Sequence, residues 1–180
     1  MNKCILIGIP NSGKSTIGQQ AAKILQVPFY NTDKLAVERL NLKHPAQLLT
    51  PSGMMRLAEE KYRLLTEFVE LDGPAIIEIW PESVLRPSDS KVMKKIGKII
   101  YIKRETELAI ADAMKKKHRM TMRDMKTGQE TDMQLESIRL YAEEIRHFKA
   151  LADLTLENNG NAKEGVEKLV AMISEMSNKK

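Results

Sequence analysis

Nine residues near the start of the chain limit its possible folds more than any other stretch. Residues 8–16 have the sequence Gly-Ile-Pro-Asn-Ser-Gly-Lys-Ser-Thr and follow the largely apolar run 3–7. A glycine, four intervening residues and Gly-Lys-Ser form the P-loop pattern, which joins a buried strand to the first turn of a helix. The pattern predicts a strand, a phosphate-binding turn and a helix in that order. The alternative is an ordinary glycine turn without a ligand.

The residue types in this turn suit a nucleotide polyphosphate. Gly8 and Gly13 carry no side chain, so backbone N–H groups can approach the phosphates closely. The helix that follows adds unpaired N–H groups and the positive end of its dipole. We expect Lys14 to contact the β- and γ-phosphates and Ser15 to ligate Mg²⁺. The other predicted nucleotide contacts are Asn11, Ser12 and Thr16.

Length and cysteine content indicate a single intracellular domain. The 180 residues fit one domain of ordinary size. Cys4 is the only cysteine, which excludes a disulfide within the chain and suits a reducing cytoplasm. The apolar runs of the chain are too short to cross a bilayer. We therefore expect a soluble cytoplasmic monomer that occupies residues 1–180 and has no membrane partner.

The net charge of +5 raises the question of nucleic acid binding. Much of the positive charge lies in residues 115–119 and at the C-terminal lysines. Aromatic residues make up only 4% of the chain, and none lies within the basic run, so a stacking surface for single strands is not evident. A solvated helix end explains the lysines better, and nucleic acid is disfavoured as a partner.

Apolar strand-like segments alternate with segments of helical periodicity along the whole chain. Strands are predicted at 3–9, 27–31, 75–80, 98–102 and 154–158. Helices are predicted at 15–25, 33–40, 53–71, 88–96, 106–117, 132–151 and 162–176, with residues 119–131 irregular. Thr32 or Asp33 is the expected cap of the second helix and Ser52 that of the third. The alternation predicts an α/β fold with a parallel sheet flanked by helices.

Three polar stretches should meet at the carboxyl ends of the predicted strands, where ligands bind in such folds. They are the P-loop, residues 31–33 and residues 78–82. Asp33 can orient or deprotonate a hydroxyl, or it can simply cap a helix. Glu78 lies within an apolar strand, where a carboxylate is costly unless paired, so we expect it near a metal or near Lys14. Trp80 is expected to form a wall of the acceptor pocket.

The chain resembles the shikimate kinases in three stretches, which are residues 8–18, 29–33 and 55–59. The order of these stretches is preserved, and the resemblance extends to the closing helix. It implies a three-layer P-loop kinase fold with a substrate-binding helical segment at about 34–62 and a lid at about 113–130. It also implies transfer of the γ-phosphate of ATP, with Mg²⁺, to a hydroxyl of a small metabolite.

The resemblance also implies roles for particular residues. Asp33 matches the acid that contacts the acceptor hydroxyl and is the candidate base, whereas Asn31 replaces the family's metal-proximal acid. Arg56 matches the arginine that binds the substrate carboxylate, although an exposed charge is the alternative interpretation. Arg119 matches the lid arginine that approaches the transferred phosphate. The predicted catalytic set is therefore Lys14, Asp33 and Arg119.

Other positions depart from the family pattern. Three glycines that cradle shikimate in the family align with Trp80-Pro81-Glu82, which brings an indole, a residue without an N–H and a negative charge. A second substrate arginine falls at Glu144, with only Arg139 and Arg146 nearby, and an adenine-flanking arginine falls at Asp112.

These departures leave the acceptor open. Trp80 and Glu82 join Asp33 and Arg56 as predicted substrate contacts, and we expect shikimate to be a poor acceptor. A sugar acid or a nucleoside is an alternative acceptor. The alternative functions are a nucleotide-binding protein without transfer activity and a nucleic-acid-associated NTPase.

Overall fold

The computed structural model of the protein describes residues 2–41, 50–115, 121–123 and 130–178. Within these ranges the chain forms a five-stranded sheet covered by helices, together with a separate two-stranded sheet. The strands are β1 (Cys4–Ile7), β2 (Phe29–Asn31), β3 (Ile76–Glu78), β4 (Lys98–Lys103), β5 (Thr121–Arg123), β6 (Glu130–Asp132) and β7 (Leu154–Glu157). The helices are α1 (Lys14–Leu25), α2 (Thr32–Arg39), α3 (Pro51–Glu70), α4 (Pro81–Leu85), α5 (Pro87–Ile96), α6 (Thr106–Met114), α7 (Met133–Glu143), α8 (Ile145–Leu151) and α9 (Ala162–Asn178).

The large sheet is parallel throughout and has the strand order β2-β3-β1-β4-β7. Strand β1 is central, and its Ile5 lies opposite Ile77 of β3 and Ile99 of β4. The chain leaves β1 toward one edge of the sheet and later crosses to the other side. Ligands of open α/β sheets bind at such a reversal, outside the carboxyl ends of the strands. The predicted α/β fold with a flanked parallel sheet is confirmed.

Two apolar cores cover the two faces of the sheet, because successive strand side chains point in opposite directions. On one face, Ile5 and Ile7 of β1 belong to a core with Phe68 of α3 and Met93 of α5. On the other face, Cys4 and Leu6 belong to a core that includes buried residues of α1 and α9. Both faces of β1 are thus buried, which explains its unbroken apolar sequence.

Two predicted helix caps are wrong. The side chain of Asn31, rather than Thr32 or Asp33, caps α2 by accepting a hydrogen bond from the Lys34 N–H at 2.9 Å. Helix α3 begins two residues before its predicted start, because the Thr50 hydroxyl accepts from the Gly53 N–H at 3.1 Å. Pro51 then occupies the first helical position, where a missing N–H costs nothing.

The structure also adds elements to the predicted set. A short helix, α4, begins at Pro81 directly after the third strand. Residues predicted as irregular contribute β5 and the first two residues of β6, and these strands pair antiparallel. The single helix predicted for 132–151 is divided into α7 and α8 around Glu144. No described helix is long and apolar enough to cross a membrane.

Candidate functional site

A cavity of about 650 Å³ lies where the five parallel strands end. Each strand of the large sheet contributes to its lining, either through its last residues or through the segment that follows. One end, which we call the donor end, is formed by residues 10–17 together with Arg104, Asp112, Asn158, Gly160 and Ala162. The other end, the acceptor end, is formed by Asp33, Glu78, Ser137, Tyr141 and residues 79–82.

The P-loop backbone needs its glycines for close packing. Gly13 has a φ of 91°, and a Cβ there would lie 2.4 Å from the Asn158 side-chain nitrogen. A Cβ on Gly8 would lie 2.6 Å from the Ile102 carbonyl oxygen, beneath the loop. Asn158 also donates to the Ser12 carbonyl at 2.7 Å. Asn158, which follows β7, therefore holds the loop in place, a role that the sequence analysis missed.

The side chains of Asn11 and Ser12 have different surroundings. Asn11 has a φ of 59° and connects the loop to two helices, since it donates to the Ala109 carbonyl and accepts from Gln134. Ser12 is fully buried, and its hydroxyl has no hydrogen-bond partner within the described ranges. Thr16 is exposed and lines the donor end.

Lys14 is buried at the donor end, and its ammonium group is bound by the loop itself. Its Nζ donates to the carbonyls of Gly8 at 2.8 Å and Ile9 at 2.9 Å. Burial lowers the pKa of Lys14, and the charges of Glu78 and Asp33 partly offset that effect. To contact a phosphate, the ammonium group would exchange these carbonyl oxygens for phosphate oxygens.

A carboxylate lies directly against the predicted metal ligand. Ser15 Oγ donates to Glu78 Oε1 at 2.8 Å, and Asn31 Nδ2 donates to Glu78 Oε2 at 2.7 Å. Glu78 is thus hydrogen-bonded to the predicted metal ligand, and its charge also acts on Lys14. In the described part of the chain, His, Cys, Asp and Glu form no cluster of three that could hold a metal alone. Magnesium commonly keeps water and phosphate oxygens among its ligands and needs few carboxylates, so Ser15 and Glu78 suit it.

At the acceptor end, a buried lysine joins two carboxylates and the indole ring. Lys61 Nζ lies 3.4 Å from Asp33 Oδ1, 3.6 Å from Glu82 Oε2 and 3.2 Å from the centroid of the Trp80 ring. Burial raises the pKa of Asp33 to about 6, although the Lys61 charge opposes this. The sequence does not reveal this role of Lys61, because helical spacing gives no indication that the position faces Asp33.

Trp80, Glu82 and Tyr141 form the rest of the acceptor-end wall. Burial, and then the nearby Glu82 charge, raises the pKa of Tyr141. The Trp80 indole nitrogen is buried, and no described residue accepts its hydrogen by distance and angle. A ligand oxygen at this end could accept that hydrogen bond.

Several predicted site residues lie elsewhere. Arg56 is exposed on α3 and is not part of the cavity wall formed by the described residues. Arg119, together with much of the predicted lid, lies outside the described residues. Arg139 and Arg146 are exposed and pair with Glu136 and Glu144, respectively. The structure thus brings together the P-loop, Asp33, Trp80 and Glu82, but not Arg56.

An arginine reaches the donor end from an unexpected position. Arg104, which follows β4, donates to the Asn158 carbonyl at 2.6 Å and is paired with Asp112. Asp112 also pairs with Lys115 at 3.1 Å. The donor end therefore contains a guanidinium group even though the family's adenine-flanking position carries an acid here.

Comparison with known proteins identifies the family of the chain and agrees with its fold. The profile of the family described as "Shikimate kinase" matches residues 10–174 of the chain. The chain belongs to the shikimate kinase family. The shikimate kinase of Pseudomonas aeruginosa strain LESB58 is 29% identical over 129 residues, which cover 72% of this chain and 74% of that protein. The shikimate kinase of Thioalkalivibrio sulfidiphilus is 26% identical over 180 residues, covering 97% of this chain and 88% of that protein.

Solved structures of shikimate kinases share the fold. The enzyme from Acinetobacter baumannii in complex with shikimate superposes with a TM-score of 0.78 at 18% identity, covering 99% of this chain and 95% of that chain. A gluconokinase from Sinorhizobium meliloti 1021 reaches a TM-score of 0.61 at 12% identity, covering 97% of this chain and 93% of that chain. At these identities the likeness concerns the fold. Shikimate kinases are small-molecule kinases that typically use magnesium and ATP.

Proposed function

We propose that the protein transfers the γ-phosphate of ATP to a hydroxyl group of a small metabolite. One observation carries the proposal, namely that Lys14, Ser15 and Asp33 line the same cavity. A polyphosphate on the P-loop and an alcohol beside Asp33 would therefore meet in one cavity. Phosphoryl transfer depends mainly on such positioning and on neutralisation of charge.

The proposed step can be written with all its atoms. The acceptor oxygen forms a bond to the γ-phosphorus while the bond between that phosphorus and the β–γ bridging oxygen breaks. ADP leaves with the bonding electrons, and the hydroxyl proton passes to Asp33. With a pKa of about 6, Asp33 is largely ionised at neutral pH and can accept this proton. Lys14 and the loop N–H groups neutralise the donor, and we propose that Arg119 contacts the transferred phosphate.

The metal site is part of the same proposal. Bound magnesium would neutralise charge on the β- and γ-phosphate oxygens. The Ser15 hydroxyl would hold it, and Glu78 would supply the carboxylate on that side, since these two side chains are already in contact at 2.8 Å.

The acceptor end supports an acceptor other than shikimate. The segment Trp80-Pro81-Glu82 begins α4 and lines the cavity, so its bulk and charge lie where an acceptor would bind. Arg56, the predicted ligand of a substrate carboxylate, is exposed instead. We propose that shikimate is a poor acceptor and that the protein acts as a cytoplasmic monomer without a membrane or nucleic acid partner.

ADP release over a panel of hydroxy acids, sugars and nucleosides tests the proposed function. At least one acceptor should stimulate release, and Lys14→Ala should reduce the rate at least about 100-fold, the usual cost of one lost electrostatic contact in a transition state. Lys23→Ala, on the exposed side of α1, is the matched control and should retain the rate. Undiminished turnover in folded Lys14→Ala would exclude the P-loop from the reaction. Stimulation by RNA or DNA instead of small molecules would favour the NTPase alternative.

A further inference from the structure

The acceptor end of the cavity has an unusual charge arrangement. We propose that it selects a hydroxylated compound without a carboxylate or phosphate, either uncharged or positively charged, and that Glu82 is the selective residue. This inference rests on the proposed phosphotransferase function and specifies the class of its acceptor.

The charged groups that line this end are acidic. Among the described residues, the acceptor-end wall contains the carboxylates of Asp33, Glu78 and Glu82. Glu78 is bound by Ser15 and Asn31 on the metal side, so Asp33 and Glu82 are the two that face an acceptor. Lys14 lies at the donor end, where its role is to bind phosphate.

Lys61 does not provide a free positive charge for an anionic acceptor. Its side chain is only 4% exposed and is shared between Asp33 at 3.4 Å and Glu82 at 3.6 Å. One ammonium group compensates one of the two carboxylates, which leaves these three side chains with a net charge of −1 when all are ionised. Arg86, whose charge also acts on Lys61 and Tyr141, is itself paired with the buried Asp89 at 3.9 Å. A carboxylate placed there would therefore be repelled in a partly buried site, where solvent screens charges weakly.

The remaining wall suits hydroxyl groups. The Trp80 indole N–H is buried and lies beside the Tyr141 hydroxyl, but no described residue accepts its hydrogen with good hydrogen-bond geometry. Tyr141 offers a phenolic hydroxyl beside Glu82, and Glu82 itself accepts hydrogen bonds. An alcohol can both accept from the indole and donate to Glu82, and an ammonium group can donate to Glu82. A carboxylate can do only the first.

Trp80 is the only tryptophan in the chain, so its fluorescence reports directly on this end of the cavity. The test titrates the protein, with ADP and magnesium present, with gluconate, glucitol and glucamine, which differ mainly at one terminal carbon. Shikimate and its methyl ester form a second matched pair. We expect glucitol, glucamine and the methyl ester to bind at least about tenfold more tightly than their carboxylate partners, as a repulsion of this kind predicts. Equal or tighter binding of the carboxylates would overturn the inference.

Quenching of Trp80 tests the charge of the site without any acceptor. The cation caesium should quench the emission more strongly than the anion iodide, when each is compared with neutral acrylamide. Glu82→Gln should reduce this difference between caesium and iodide. Glu167→Gln removes the same charge from the exposed side of α9 and should leave the difference unchanged. Iodide quenching as strong as caesium quenching in the unmodified protein would contradict the inference, as would a Glu82→Gln result identical to that of the control.

The two proposals can fail separately. A protein that discriminates against carboxylates in the Trp80 titration but transfers no phosphate to any acceptor would refute the phosphotransferase function. A protein that phosphorylates carboxylates at least as well as their neutral partners would retain that function and refute the acceptor class.

Discussion

Glu78 and Asn31 together bring one carboxylate to the Ser15 hydroxyl. In the family pattern the metal-proximal acid is on the second strand, at the position of Asn31. Here the carboxylate comes from β3, and the Asn31 amide donates to it at 2.7 Å. The sequence indicated that a buried acid at Glu78 needs a partner, but only the register of β2 and β3, which places Asn31 beside Glu78, identifies which partner it has.

Magnesium should increase the affinity for ADP, and we predict that Glu78→Gln reduces this increase by about tenfold or more. That is the usual cost of losing a group that supports a metal ligand. Adding Asn31→Asp to Glu78→Gln should recover part of the loss, because it returns a carboxylate to the same place. Calorimetric titration of ADP across a magnesium series measures both effects, with the exposed Glu38→Gln on α2 as the control. Unchanged magnesium dependence in Glu78→Gln would show that this carboxylate plays no part in metal binding.

Asp33 gives the proposed reaction a defined pH dependence. Its pKa is raised from 3.8 to about 6, chiefly by burial, so the carboxylate becomes able to accept a proton only as the pH rises through about 6. We predict that kcat increases with pH across this range. The sign for stability is opposite, because a raised acid pKa favours the protonated folded state. The stabilising contribution of Asp33 to the free energy of unfolding is therefore fully present below pH 3.8 and is lost as the pH rises through about 6.

Lys61 opposes the raised pKa of Asp33, which allows a second test at this site. Lys61→Met should move the acid limb of the kcat profile to higher pH, since removal of a positive charge disfavours the ionised carboxylate. Lys23→Met should leave the limb in place. A profile in Lys61→Met that is lower throughout but unshifted would indicate a merely structural role for Lys61.

At the scale of elements, the packing of α1 against α9 supports the P-loop. Gly165 of α9 lies close to this contact, since a Cβ there would lie 2.5 Å from the Asn158 side-chain oxygen and 3.0 Å from Ile17 of α1. Asn158 in turn binds the Ser12 carbonyl. Asn158 thus links the loop to the place where α9 packs closely against α1.

We predict that Gly165→Ala destabilises the protein by about 1–3 kcal/mol through overpacking, although alanine is the better helix former. It should also weaken ADP binding, because displacement of Asn158 frees the loop. Thermal unfolding and ADP titration measure the two effects, and Lys163→Ala on the exposed side of the same helix is the control. A more stable Gly165→Ala protein would mean that the contact relaxes without cost.

The elements also show what sequence could and could not predict. The five strands of the large sheet were predictable, because apolar runs between turn signals are typical of buried parallel strands, whereas the polar β5 and β6 carry no such signal. Helix α4 was not predictable, because its five residues are too few to show a helical period. The P-loop follows from local spacing alone. Tyr141 and Asn158 line the cavity from distant elements, and Lys61 contacts Asp33 and Glu82 of its wall, so only the packing of these elements reveals their roles.

At the scale of the whole molecule, the parallel sheet brings the five strand ends to one cavity. The strand order places β1, which carries the P-loop, between β3 and β4, so the donor end is central. The acceptor end lies toward β2 and β3, where α3, α4 and α7 provide Lys61, Glu82 and Tyr141. The P-loop at the donor end is the family's pattern, and we propose that Trp80 and Glu82 set the acceptor end of this chain apart.

Phosphorus NMR of ATP, magnesium and a set of neutral and cationic polyols tests the central claim most directly, because it observes the transferred group itself. We predict that the γ-phosphate signal declines as ADP signals and an acceptor-dependent phosphomonoester signal grow, and that none of these changes occurs with Lys14→Ala. Conversion of ATP to ADP and inorganic phosphate alone, with no phosphomonoester from any acceptor, would contradict the claim.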